Sequence, residues 1–208
     1  MQYDLTSEEL RVRIEHCDFD RDEAIPLFEH AVERDPDFQE AHRELGWALC
    51  GHGDEGKAEI HLRRAIVLNP NDGWAHIYLG NLLWRGFAYG EAEAEFKTAV
   101  AVWPKSSIPP WCLAMYYDWE NHSRQAGRYY RLALEINPTD TVALDRYARF
   151  LRKRRQFDKA RRIYQRLIEI EPSDEGARCG LFEATLSSRR GDNMRRGAPR
   201  FGRRPVPN

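Results

Sequence analysis

Five prolines, Pro36, Pro70, Pro104, Pro138 and Pro172, stand 34 residues apart along the chain, and other columns keep step with them. Twelve residues before each proline stand Ala24, Ala58, Ala92, Ala126 and Ala160. Eight residues before stand Phe28, Leu62, Phe96, Tyr130 and Tyr164, and five before stand Ala31, Ala65, Ala99, Ala133 and, as the one departure, Leu167. Such a register means that the chain folds as a row of similar units, each completing its core against its neighbours. Alanine lets two helices approach closely, the large residue between the alanines fills the space beside the contact, and proline cannot continue a helix. Each unit therefore ends at its proline.

Upstream in each unit a second large-then-small column appears, Leu45-Gly46, Leu79-Gly80, Leu113-Ala114 and Tyr147-Ala148, which marks another close helix crossing. Breaks with cap-forming residues, Gly53-Asp54, Gly90, Ser123 and Asp158, are expected to separate the two helices of a unit. This pattern resembles the tetratricopeptide repeat family over about residues 5–187. The resemblance implies an all-α, right-handed superhelical solenoid of antiparallel helix pairs, here five repeats and a C-terminal capping helix. The family's usual Trp near the start of the first helix is replaced by His42, His76, Pro110 and Leu144. In the first unit the expected core columns fall on Arg11, Val12 and Glu15, while Leu10, Ile14 and Cys17 form an apolar stripe of their own. Residues 173–187 are expected to cap the stack. Residues 188–208, rich in Arg, Gly and Pro without helical period, are expected to form a disordered tail.

Composition narrows the setting. The opening MQYDLTSEEL has acids where a secretion signal has bases and an apolar run, and no segment approaches the ~20 apolar residues of a membrane span. Cys17, Cys50, Cys112 and Cys179 are isolated, with no CxxC pair. A soluble, cytoplasmic protein with reduced thiols is expected. The net charge of −1 hides a gradient: residues 1–36 hold 11 acids and 4 bases, and residues 141–172 hold 4 acids and 10 bases.

The resemblance implies that first helices line a concave surface. At 3.6 residues per turn, the face opposite the large-small column carries Trp47 in the second unit, and Trp74, Ile77, Tyr78, Asn81, Trp84 and Arg85 in the third. The fourth unit presents Trp111, Met115 and Trp119, and the fifth presents Arg146, Arg149, Arg152 and Lys153. Five of the six tryptophans thus fall on a face the unit's own core does not use. Aromatic rings there anchor a bound peptide or helix, unless they pack between neighbouring first helices, as about half are expected to. The cations suit carboxylates or phosphates. The expected partner is a protein or peptide with apolar anchors and acidic residues.

Enzymatic motifs are missing. The seven histidines show no i, i+4 pairing and no HExxH, and there is no GxxxxGK[ST] or GxSxG. No catalytic residue, cofactor or metal is expected, and His42 and His76 are expected to be structural. The positions at which some family members grip terminal carboxylates hold Arg43, Trp47, Tyr78, Ile108 and Cys112, so that mode is not expected. The alternative is RNA association through the basic fifth repeat and Arg-rich tail. The stretches Tyr116–Glu120 and Ala160–Arg166 are similar to half-a-TPR repeats of RNA-processing proteins. Head-to-tail self-association through the opposed charges of the two ends is a third expectation.

Overall fold

In a computed structural model of the chain, residues 21–197 are described, together with Glu9, and side chains from Ala24 to Ser188. The described residues form ten helices: α1 (Arg21–Arg34), α2 (Gln39–His52), α3 (Glu55–Leu68), α4 (Gly73–Arg85), α5 (Tyr89–Val102), α6 (Ile108–Trp119), α7 (Ser123–Ile136), α8 (Thr141–Lys153), α9 (Phe157–Ile170) and α10 (Glu175–Gly197). Hairpins α2/α3, α4/α5, α6/α7 and α8/α9 stack in chain order, with α1 packed on α2 and α10 closing the far end on α8 and α9. The expected first helix of the first unit, with Leu10, Ile14 and Cys17, lies outside the described residues. Each first helix also touches the first helix of the next unit, whereas second helices reach the next unit through its first helix. The stack therefore curves toward α2, α4, α6 and α8, which line its concave side.

The core follows the columns. Ala58, Ala92, Ala126 and Ala160 are fully buried, as are Leu45, Leu79, Leu113, Leu62, Phe96 and Tyr164. A Cβ on Gly46 would stand 2.6 Å from Leu62, and one on Gly80 would stand 3.1 Å from Phe96, so these glycines mark where two helices come nearest. In α10 the close approach is made by Gly180, whose Cβ would meet the Tyr164 ring at 2.4 Å, while Phe182 is exposed on the side with no further helix.

Two expectations about boundaries are corrected. The residues before the second helices, Asp54, Ala88, His122 and Gln156, make no side-chain cap bond, and Gly90 and Asp158 lie inside α5 and α9, with Ser123 the first residue of α7. A backbone device replaces them. Gly53, Phe87, Asn121 and Arg155 take positive φ, and the next N–H bonds back five residues in each case: Asp54 to Leu49, Ala88 to Leu83, His122 to Tyr117 and Gln156 to Leu151. That 6→1 bond closes the helix end without any particular side chain. Side-chain caps stand instead two residues after three of the five prolines. Asp72 accepts from the N–H groups of Trp74 and Ala75, Asp140 from Ala143 and Asp174 from Ala177. The second correction concerns the tail: α10 runs on to Gly197, past the boundary expected at residue 188. Arg and Met are good helix formers, and the lone Gly191 costs about 1 kcal/mol, which does not stop a helix already started.

His42 and His76 hold the turns that precede them. His42 Nε2 donates to the Pro36 carbonyl at 3.0 Å and His76 Nε2 to that of Pro70 at 3.0 Å. Their Nδ1 atoms differ in partner: His42 meets His61 Nδ1 at 3.0 Å, and His76 meets Glu95 at 2.6 Å. Burial holds His42 below the ordinary imidazole value, and burial with the charge of His42 holds His61 there too. Burial also acts to lower His76, but its bonds to Glu95 and Pro70 win and raise it. A histidine with a depressed folded value contributes stability that is present above the unfolded value of about 6.5 and lost as pH falls through the folded one. His76 acts in the opposite sense. The fall in melting temperature between neutral and mildly acidic buffer should therefore be smaller in His61→Gln than in the native chain; equal slopes would show that the histidine pair does not couple to folding.

Candidate functional site: the aromatic groove

The concave face of α2, α4, α6 and α8 holds three depressions that share walls. The first, about 210 Å³, lies between α2 and α4 beside Trp47, Tyr78, Asn81 and Arg85. The central one, about 270 Å³, lies between Trp74, Tyr78, Trp84, Trp111 and Met115, with Arg146 at its far side. The third, about 200 Å³, continues past Trp84, Met115 and Arg146 to Trp119, Arg149 and Lys153. Tyr78 and Asn81 belong to the first two, and Trp84, Met115 and Arg146 to the last two, so the three form one channel.

Ring contacts organise the wall. Trp74 stacks on Tyr78 at 5.6 Å between centroids, Tyr78 meets Trp47 at 6.2 Å, and Trp84 meets Trp119 edge to face at 5.6 Å. Trp47, Trp74, Trp84 and Trp111 are half-buried, Trp119 is 67% exposed, and Ile77, at 2% exposed, forms floor rather than contact surface. The sixth tryptophan, Trp103, is off the concave face. It lies over Gly73, whose Cβ would stand 2.3 Å from the ring, and meets Trp74 edge to face at 5.7 Å. Trp103 thus supports Trp74 from behind, a role visible only once Gly73 is known to start a helix beside it.

The basic stripe is largely engaged within the molecule. Arg149 pairs with Asp145 at 2.8 Å, Arg152 with Glu183, and Lys153 and Arg154 with Asp118 at 3.3 and 3.1 Å. Arg85 donates to the Cys50 carbonyl and pairs with Glu55 at 3.1 Å. Arg146 has no hydrogen bond or ion pair among the described residues. Burial pushes the neighbouring Cys112 thiol up to about 12, against the pull of Arg146, so this thiol stays protonated.

Polar braces tie successive first helices on the inner side, but unevenly. Asp72, at the head of α4, receives Gln39 and Arg43 from α2, and Arg85 reaches back to Cys50 and Glu55. Ser107, before α6, donates to Asp140 at 2.6 Å, and Asp118 holds Lys153 and Arg154. Between α4 and α6 the inner side is packed by rings and apolar side chains, among them Trp84 against Trp119, while on the outer side Tyr116 donates to the Tyr89 carbonyl and Tyr117 to Glu93.

A curved stack of helical hairpins with a side-chain-lined inner channel defines a helical-repeat protein. Residues 20–73 and 141–184 match models of the tetratricopeptide repeat, and the 34-residue register joins the two stretches, so the chain is a tetratricopeptide repeat protein. It is 23% identical to anaphase-promoting complex subunit 3 of Schizosaccharomyces pombe over 152 residues, 73% of this chain. The chain spans only 23% of that subunit's length. Among solved structures, YrrB, described as a TPR protein with an unusual peptide-binding site, superposes with a TM-score of 0.59 at 19% identity, over 80% of this chain and 84% of that one. The APC/C hetero-tetramer Cut9-Hcn1 gives 0.70 at 14% identity, over 92% of this chain and 38% of that one.

Proposed function

We propose that the chain is a non-enzymatic scaffold or adaptor, cytoplasmic, that holds a segment of a partner protein in the aromatic groove, the segment carrying apolar anchors and acidic residues. The observation that carries this reading is the continuous channel walled by Trp47, Trp74, Trp84, Trp111 and Trp119 on the concave side. Large rings held half in water gain by being covered, and Trp is the residue type most often decisive at protein interfaces. The matched YrrB has a peptide-binding site by its description, and two other matched proteins are parts of the anaphase-promoting complex, which supports an interaction role. RNA association is the weaker reading, because three of the four cations read on the inner face of the fifth unit, Arg149, Arg152 and Lys153, are already held by carboxylates.

The test is capture of a partner from lysate by the intact chain, then measurement of its affinity for the Trp84→Ala/Trp111→Ala double variant. A loss of at least about 2 kcal/mol, some 30-fold, is expected, with the circular dichroism unchanged. A partner held as tightly by the variant sinks the groove reading; one released by nuclease or by high salt moves the function to nucleic acid.

A further inference from the structure

The central depression differs from its neighbours in the chemistry of its unmet groups. Its wall is formed by the rings of Trp74, Tyr78, Trp84 and Trp111 with the Met115 side chain. The Nε1 of Trp111 is out of solvent with no acceptor. The Asn81 carboxamide and the Arg146 guanidinium, both on this wall, have no partner among the described residues. Apart from the Asn81 carbonyl these groups are donors, and Arg146 is a cation of the groove that no carboxylate among the described residues holds. A buried donor without an acceptor costs free energy that an entering acceptor relieves. An apolar chamber with four rings favours an aromatic guest, which gains edge-to-face contacts beyond the area it covers.

We propose that this chamber is a socket for one aromatic side chain of the partner, and that a single carboxylate borne next to that residue is received by Arg146. The inference rests on the groove reading and sharpens it: the acidic feature recognised is one carboxylate at one place, not a run of acids along the fifth unit. Arg149 and Lys153 line the third depression with charges already matched internally, and Arg152, paired with Glu183, lines none of the three.

Selection of a displayed random-peptide library on the full chain, then fluorescence anisotropy with the synthetic selected peptide, tests the socket. Selected peptides are expected to share an aromatic residue with a neighbouring Asp or Glu. Arg146→Gln should weaken the synthetic peptide about tenfold, the value of one charge-assisted hydrogen bond, and Arg162→Gln, at an exposed cation of α9 that lines none of the three depressions, should leave it unchanged. Converting the peptide's acid to its amide should give the same loss on the native chain and no further loss on Arg146→Gln. A version cut after the aromatic residue to leave a free C-terminal carboxylate separates the two sources: retained affinity assigns Arg146 to a chain end, and lost affinity to an acidic side chain. Peptides with no shared aromatic, or an acid preference that survives Arg146→Gln, overturn the proposal but leave the groove reading standing if Trp84→Ala/Trp111→Ala abolishes binding. Peptides indifferent to the tryptophans, or no peptide recovered, overturn both.

Discussion

Phe96→Ala should destabilise the protein by about 3–5 kcal/mol and make its unfolding less cooperative. Phe96 is 1% exposed, lies against Gly80 of its own hairpin, and meets Tyr116 of the next hairpin at 5.7 Å between centroids. Truncation leaves a void that the backbone cannot close, because Ala92 and Ala99, one turn to either side, already sit at the helix contact with no exposed surface. The position is also the middle of the row. Stability in such a stack is a sum of unit terms and nearest-neighbour terms, so weakening a central contact on both sides lets the two halves unfold apart. Urea unfolding followed by circular dichroism should show a lower midpoint and a shallower or split transition. A single transition with the native slope, shifted by less than about 1 kcal/mol, would mean that the ring is not the centre of the packing.

Asp72→Ala should cost about 3–5 kcal/mol, and Asp140→Ala only about 1–2 kcal/mol, although the two aspartates occupy the same place in their repeats. Both cap a first helix and both join it to the first helix before. Asp140 accepts from the Ala143 N–H at 3.0 Å and from the Ser107 hydroxyl, a neutral donor. Asp72, 5% exposed, accepts from the Trp74 N–H at 2.9 Å, from Gln39, and from the half-buried Arg43 at 2.9 Å. Removing it strips a cap and leaves the Arg43 charge with Glu44 alone. Asp72→Asn keeps the capping oxygen and should fall between the native chain and the alanine variant. Chemical denaturation of the three variants decides the point; equal losses for the two alanine variants would show that the cap, not the ion pair, carries the energy.

The fold was legible because the repeat is a covalent pattern: Pro, Ala, a large apolar or aromatic residue and, in all but the last unit, a second Ala recur at a fixed step, and each names the same packing contact from unit to unit. The groove face was legible for a related reason, since α4 and α6 are regular helices and place Trp74, Trp84 and Trp111 where 3.6 residues per turn puts them. What failed to show was pairing. Lys153 and Asp118 are 35 residues apart, and their meeting depends on how one hairpin sits on the next. Asp145 with Arg149 was within reach as an i, i+4 pair, and the aspartates two residues after Pro70, Pro138 and Pro172 were in plain register. The cap at the opposite end of each hairpin was hidden for a different reason. The 6→1 turn is made by Gly53 and Asn121, which favour left-handed backbone, but also by Phe87 and Arg155, which adopt it at a steric cost, so residue type announces it in only two of the four hairpins.

The uneven bracing of the inner side has a mechanical meaning. Polar ties lock the second unit to the third and the fourth to the fifth, which makes two stiff blocks. Between them the outer edge is pinned by Tyr116 and Tyr117, while the inner edge rests on packed rings and apolar side chains. A row built this way flexes like a book on its spine, with the spine on the convex side and the opening at the central chamber. Its width is thus governed by how the rings and apolar side chains of α4 and α6 pack against one another.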